Sequence, residues 1–102
     1  MMDIQRLRNL TTGILHTDIG HVYEDIEAVT GKNGLMTHMI PNMLKAIEPW
    51  LKENVTDERY WNKVFDTEHQ GEYSLPQPSE SERDLMIQRF QAMPDPLLSQ
   101  FT

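Results

Sequence analysis

The sequence predicts a mainly α protein, a small single-domain helical bundle of about four helices. We also expect an irregular acidic loop, with a short strand or hairpin as an open alternative. The chain has 102 residues and no cysteine, a length that suits one domain with its own core and no disulfide framework. Several stretches repeat apolar residues at the helical steps of three and four. Helix-start and helix-stop residues separate these stretches. We therefore expect residues 1–102 to form a single domain.

The central stretch, residues 34–51, organises this prediction. Its apolar residues recur on one helical face, and they are Ile40, Met43, Leu44, Ile47 and Leu51. Thr37 is a candidate N-cap, whereas Pro41 suits a first helical position, so we expect a short turn at 37–40 that leads into a helix from Pro41. Pro49 lies deeper, where a proline costs about 3 kcal/mol and predicts a kink or break. We expect burial of Trp50 to offset this cost.

Two segments precede this stretch. In residues 1–15 a short helix and an edge strand remain equally open, and Gly13 ends either one. Residues 18–30 predict a helix that begins at Asp18 and ends at Thr30-Gly31, with Ile19, Val22, Tyr23, Ile26 and Val29 on its buried face. We expect this helix to pack against the central one as a hairpin.

The second half of the chain contains weaker signals. Aromatic residues predict a short helix at about 57–64, and breakers predict a loop over 66–78 with a short strand near Tyr73. Ser79 and Glu82 form a capping box, which opens a helix over 80–92 that should bury Leu85, Met86, Phe90 and Met93. The apolar tail 97–101 should dock on the core or meet a partner.

The charge of the chain is unevenly distributed. The net charge is −7, and residues 53–84 hold nine acids against three bases. This distribution argues against direct nucleic-acid binding, which needs a basic surface. No run of 18 apolar residues and no secretory signal occurs. We therefore expect a cytoplasmic protein that does not bind a membrane.

No residue pattern predicts a catalytic, cofactor or metal site. The four histidines, His16, His21, His38 and His69, lack the spacing of a zinc motif. Residues 66–77 resemble a calcium loop only faintly, because Gln77 stands where a bidentate Glu is needed. Glu24, Asp25 and Glu27 fit a solvated helix face better than an acid–base pair.

The aromatic and methionine residues are interpreted mainly as core. No basic groove accompanies Trp50, Tyr60, Trp61 and Phe65 in the sequence, so a base-stacking platform is disfavoured. Met36, Met39 and Met43 fall within eight residues. Core filling is the simpler interpretation for them, and an adaptable binding groove is the alternative.

One resemblance can be stated from motifs in residues 10–51. The motifs are Thr12-Gly13-Ile14-Leu15, Thr30-Gly31, Thr37-His38-Met39-Ile40-Pro41 and Pro49-Trp50-Leu51. The chain resembles a family of small uncharacterised bacteriophage and prophage proteins, which often has Arg where this chain has Asn42. The resemblance covers a helical hairpin at 10–51 and leaves 52–102 as an acidic helical part. It implies a phage setting.

This setting and the acidic segment together suggest a function. We expect a non-enzymatic, phage-encoded accessory protein that inhibits a host protein through an acidic surface, as an anti-CRISPR-like inhibitor would. The partner would carry a basic nucleic-acid-binding site, and in host cytoplasm it would meet Glu53, Asp57, Glu58, Trp61, Asp66, Glu68, Glu72, Glu80 and Glu82. Two alternatives stay open: a self-associating protein, such as a homodimer joined through the tail, and a small metal-dependent enzyme around His38 and His69.

Overall fold

A computed structural model describes residues 1–64 and 66–94 as a small mainly α domain. Four helices surround one core, and a two-stranded antiparallel sheet closes one edge. In chain order the elements are β1 (Met2–Asp3), α1 (Ile4–Thr12), α2 (Ile19–Thr30), a 3₁₀ turn (Thr37–Met39), α3 (Ile40–Asn54), a second 3₁₀ turn (Glu58–Tyr60), β2 (Glu72–Tyr73) and α4 (Glu80–Ala92). Phe65, predicted as core, and the tail 97–101, predicted to dock on the core or meet a partner, lie outside the described residues.

Residues 1–15 contain both of the predicted elements, first a short strand and then a helix. Met2 pairs with Tyr73 and Asp3 with Glu72, so the first residues form an edge strand. Asp3 then caps α1 by accepting a hydrogen bond from the Arg6 backbone N–H. Gly13 ends the helix with φ 72°, in the left-handed region that glycine adopts without strain.

The predicted helix over 18–30 is confirmed as α2, which ends at Gly31 with φ 73°. Val22, Ile26 and Val29 are buried. Thr37 does not cap a helix, but the expected short turn is present as the 3₁₀ turn that Thr37 begins, and it leads into α3 at Ile40. The hydroxyl of Thr37 lies 2.7 Å from the hydroxyl of Tyr23, which ties this turn to α2.

The predicted break at Pro49 is also wrong, since α3 runs unbroken from Ile40 to Asn54 with Pro49 inside it. Pro49 is exposed, whereas Ile47, Trp50 and Leu51 are buried on the opposite side. Burial of these side chains offsets the hydrogen bond that the proline removes from the carbonyl of Lys45. The expectation that Trp50 is packed is confirmed, at 4% exposure.

The predicted helix over 57–64 is wrong beyond Tyr60, where the second 3₁₀ turn ends. In a helix the N–H of Val64 would donate to the carbonyl of Tyr60, but it donates instead to the side chain of Asn62. The carbonyl of Tyr60 accepts a hydrogen bond from the hydroxyl of Thr11 on α1, and the segment that follows it is not helical. A side chain distant in sequence thus replaces local helical bonding.

The helix predicted over 80–92 is confirmed as α4, with the capping box of Ser79 and Glu82 in place. Its buried side is narrower than predicted. Met86 is fully buried, but Leu85 is 50% exposed. The side of α4 that meets the core follows Arg83, Met86, Ile87 and Phe90, at steps of three and four, and Leu85 lies off that stripe.

Candidate binding surfaces

A cluster of three aromatic rings joins the acid-bearing segments that follow α3. The ring of Tyr60 lies edge-on to His69, with centroids 4.7 Å apart, and to Tyr73, with centroids 5.2 Å apart. The hydroxyl of Tyr73 donates to the carbonyl of Asn54 at the end of α3. The cluster therefore brings the end of α3, the second 3₁₀ turn and β2 together.

Arg8 fixes the loop that carries the next acids. Its side chain is 1% exposed, and it donates to the carbonyls of Asn62 and Val64 at 2.9 and 2.6 Å. Its Nη1 lies 3.2 Å from Nδ1 of His69. Because a guanidinium can only donate, Nδ1 accepts and His69 is the neutral tautomer with its proton on Nε2. Burial, and then the charges of Arg59 and Arg8, lower the pKa of His69.

Among the eight predicted acidic site residues, three have local structural roles. Asp57 caps the second 3₁₀ turn. Asp66 accepts from the Glu68 backbone N–H at 3.1 Å and from Arg59 at 3.3 Å, and these bonds lower the pKa of Asp66. Glu82 accepts from the Ser79 backbone N–H at 2.8 Å, which lowers the pKa of Glu82.

The other five acids are exposed, and within residues 1–64 and 66–94 none of their carboxylates has an ion pair or hydrogen bond. We call these five residues the free acids: Glu53, Glu58, Glu68, Glu72 and Glu80. Four of them lie in or next to the segments joined by the aromatic cluster. Glu80 instead lies in the first turn of α4, where its charge suits the helix dipole.

The two arginines of the acidic segment do not neutralise the free acids. Arg59 pairs with Asp66. Arg83 turns to α2, where it donates to the carbonyls of Val29 and Ala28 at 3.1 and 3.0 Å. In this way Arg83 satisfies carbonyls in the last turn of α2. Neither arginine is therefore paired with a free acid.

Trp61 occupies a different surface from the free acids. Its indole N–H donates to the carbonyl of Val55 at 2.8 Å. The half-buried ring lines a cleft of about 560 Å³ between the last turn of α1 and the outer side of α3. The cleft is also lined by three lysines, Lys45, Lys52 and Lys63.

The expectation that no basic groove accompanies the aromatic residues is therefore wrong for Trp61. The three lysines are separated by up to 18 positions in the sequence, counting from Lys45 to Lys63, and meet only through the fold. The sequence contained one partial signal. Lys45 and Lys52 are seven residues apart, which places them on the same side of a helix.

The remaining candidate residues show no assembled chemical site. No group of three His, Asp or Glu residues that could hold a metal ion occurs in the described ranges. The carboxylate of Asp66, the first ligand of the faint calcium loop, is hydrogen-bonded to protein groups. Asp25 is buried and receives two hydrogen bonds from Arg6, at 3.1 and 2.7 Å, so it supports the packing of α1 on α2.

The chain belongs to a family of proteins described as Domain of unknown function (DUF7736), which matches residues 2–61. This match contains α1, α2, α3 and the second 3₁₀ turn, together with Trp61 and every lining residue of the cleft except Lys63. No match was found to a curated protein or to a solved structure. In the part of the chain that the structure describes, no helix combines the length and the apolar character that crossing a membrane requires.

Proposed function

We propose that this protein is a non-enzymatic accessory protein that binds a basic surface of another protein through its free acids. The observation that carries the proposal is the exposure of these five carboxylates without a counter-charge among the described residues. Complementary charge at an interface mainly raises the association rate and selects against wrong partners. Such a surface would suit a partner whose own site accommodates the phosphates of nucleic acid.

The setting that we propose is a phage-infected cell, with the partner a host protein in the cytoplasm. The support is the resemblance of residues 10–51 to small phage and prophage proteins, and the acidity of the segment that follows. In this proposal the chain inhibits a defence protein by covering its nucleic-acid site, as an anti-CRISPR-like inhibitor would. The aromatic cluster also supports this mode, because it joins the segments that carry four of the five free acids.

The first test is capture of partners from bacterial lysate on the immobilised full chain, at low and at high salt. We expect basic, nucleic-acid-binding proteins at low salt, and their loss at high salt, because exposed charges are screened within about 8 Å at physiological ionic strength. Added DNA should compete with the capture. Capture that is insensitive to salt and to DNA would contradict the proposal.

A matched pair of variants then tests the surface itself. E58Q/E68Q removes two negative charges from the free acids without touching a cap or an ion pair. D18N/E27Q removes the same charge from α2, where Asp18 makes no side-chain cap bond. For a captured partner we expect E58Q/E68Q to slow association about threefold or more and to flatten its salt dependence. Equal effects of the two variants would mean that only net charge matters.

A further inference from the structure

The cleft beside Trp61 carries a concentration of positive charge that is unusual in this acidic chain. Three lysines and one acid, Glu48, line it, whereas the whole chain has a net charge of −7. Glu48 is already paired, because its carboxylate lies 3.1 Å from the ammonium of Lys52. Lys45 and Lys63 are exposed and have no ion pair in the described part of the chain.

The body of the cleft is apolar. Leu10 and Ile40 are buried in its wall, at 3% and 7% exposure, and Leu44 is half-buried. The Trp61 indole is held in place by its hydrogen bond to Val55. The Lys52 ammonium lies 5.6 Å from the centroid of this ring, within the range of a cation–π contact. The ring is therefore positioned before any ligand arrives.

We propose that this cleft binds a small organic anion that joins a phosphate or carboxylate to an aromatic ring. The volume of about 560 Å³ lies within the range of small-molecule sites. Lys45 and Lys63 would meet the anionic group, and Trp61 and Leu44 would meet the ring. This site is separate from the free acids and does not depend on the proposed function.

Charge complementarity decides the class of occupant. A neutral aromatic molecule would leave the two exposed lysines without partners, and an inorganic anion would leave the apolar wall uncovered. A ligand with both parts satisfies both kinds of surface, and its two contacts reinforce each other through effective concentration. The hydroxyls of Thr11 and Thr12 already donate to backbone carbonyls, so the lysines provide the recognition of charge.

The test is a titration of the ¹⁵N-labelled full chain, followed through the Gly13 amide and the Trp61 indole N–H. The probes are phenyl phosphate, benzoate, inorganic phosphate and benzyl alcohol. We expect phenyl phosphate or benzoate to saturate these signals at about 1 mM or below, and about tenfold more tightly than inorganic phosphate or benzyl alcohol. The two aromatic anions distinguish a phosphate site from a carboxylate site. Failure of both to saturate would overturn the proposal.

Variants test the same site in opposite directions. K45Q and K63Q should each weaken binding of the aromatic anion about three- to tenfold, whereas K32Q, on a lysine outside the cleft lining, should not. E48Q should tighten binding, because it removes the acid that pairs with Lys52. Tighter binding cannot result from loss of the fold, so this variant also controls for misfolding. Binding that is the same in all four variants would overturn the proposal. The proposal would also be overturned if sedimentation showed a dimer that K45Q dissociates, since a second copy of the chain would then occupy the cleft.

Discussion

Arg8 shows how one buried residue determines the conformation of a distant loop. Its side chain is 1% exposed, and within the described ranges it pairs with no carboxylate. Two backbone carbonyls and the ring of His69 accept its hydrogen bonds instead. A buried cation imposes a condition on each neighbour, because every group that faces it must offer a lone pair. His69 therefore has to remain neutral for the loop to stay in place.

The first prediction is a loss of stability in weak acid that depends on His69. Its pKa in the folded protein lies below the ordinary value of 6.5, so the unfolded chain takes up the proton first. The contribution of His69 to stability is complete above about pH 6.5 and is lost as the pH falls towards the lowered pKa. Urea unfolding between pH 7.5 and pH 5 measures it.

The control for this prediction is H69Q, in which an amide oxygen can accept from Arg8 and does not titrate in this range. The free energy of unfolding of H69Q should fall less between these two pH values than that of the wild-type chain. Carboxylates that titrate in the same range affect both proteins and cancel in the comparison. Identical slopes would show that another group causes the acid sensitivity.

The second prediction compares two interactions of Arg6. The side chain of Asp25 is 9% exposed, whereas that of Glu24 is 69% exposed, and Arg6 contacts both. R6A leaves Asp25 buried without a partner and should lower the free energy of unfolding by about 3 kcal/mol. E24A removes only a solvated ion pair and should cost less than about 0.5 kcal/mol. Similar costs in denaturant titrations would mean that Asp25 is solvated in solution.

At the level of single elements, local signals predicted the helices whose ends are fixed by their own residues. Asp18 and Gly31 bracket α2, and Ser79 with Glu82 opens α4. Prediction failed where tertiary contacts outweighed a local preference. Pro49 predicted a kink or break, but α3 continues through it because residues before and after the proline are packed in the core. The helix predicted after Asp57 stops at Tyr60, because the hydroxyl of Thr11 donates to the carbonyl of Tyr60 and the N–H of Val64 donates to the side chain of Asn62.

The third prediction concerns Pro49 directly. P49A restores a backbone N–H at an exposed position of α3, where the carbonyl of Lys45 can accept it. We expect the free energy of unfolding to rise by about 1 kcal/mol, less than the full helix penalty of proline, because the native backbone has adapted to the ring. K45A is the control, an exposed substitution in the same helix with little expected effect. A lower stability of P49A would show that the proline suits its site.

Across the whole molecule, the fold separates charges that the sequence mixes. The composition indicated an acidic second half, and the structure places four of its five free acids in or next to the segments that the aromatic cluster joins. It also turns Arg83 towards α2 and places Lys63 in the cleft with Lys45 and Lys52. Composition could predict a negative surface because the acids are concentrated in one segment of the sequence, residues 53–84. The positive cleft could not be predicted in this way, since its lysines meet only when α3 and the chain after Tyr60 are packed together.

The helix α4 covers a side of the segment that belongs to the family match. The family match ends at residue 61, yet Met86 of α4 is fully buried, α4 packs on α2 and α3, and Arg83 satisfies the carbonyls at the end of α2. In this chain the core of the matched segment is therefore completed by a helix that lies outside the match. Without α4, the sides of α2 and α3 that it covers would be exposed to water, so the matched segment of this chain needs the helix that follows it for a complete core.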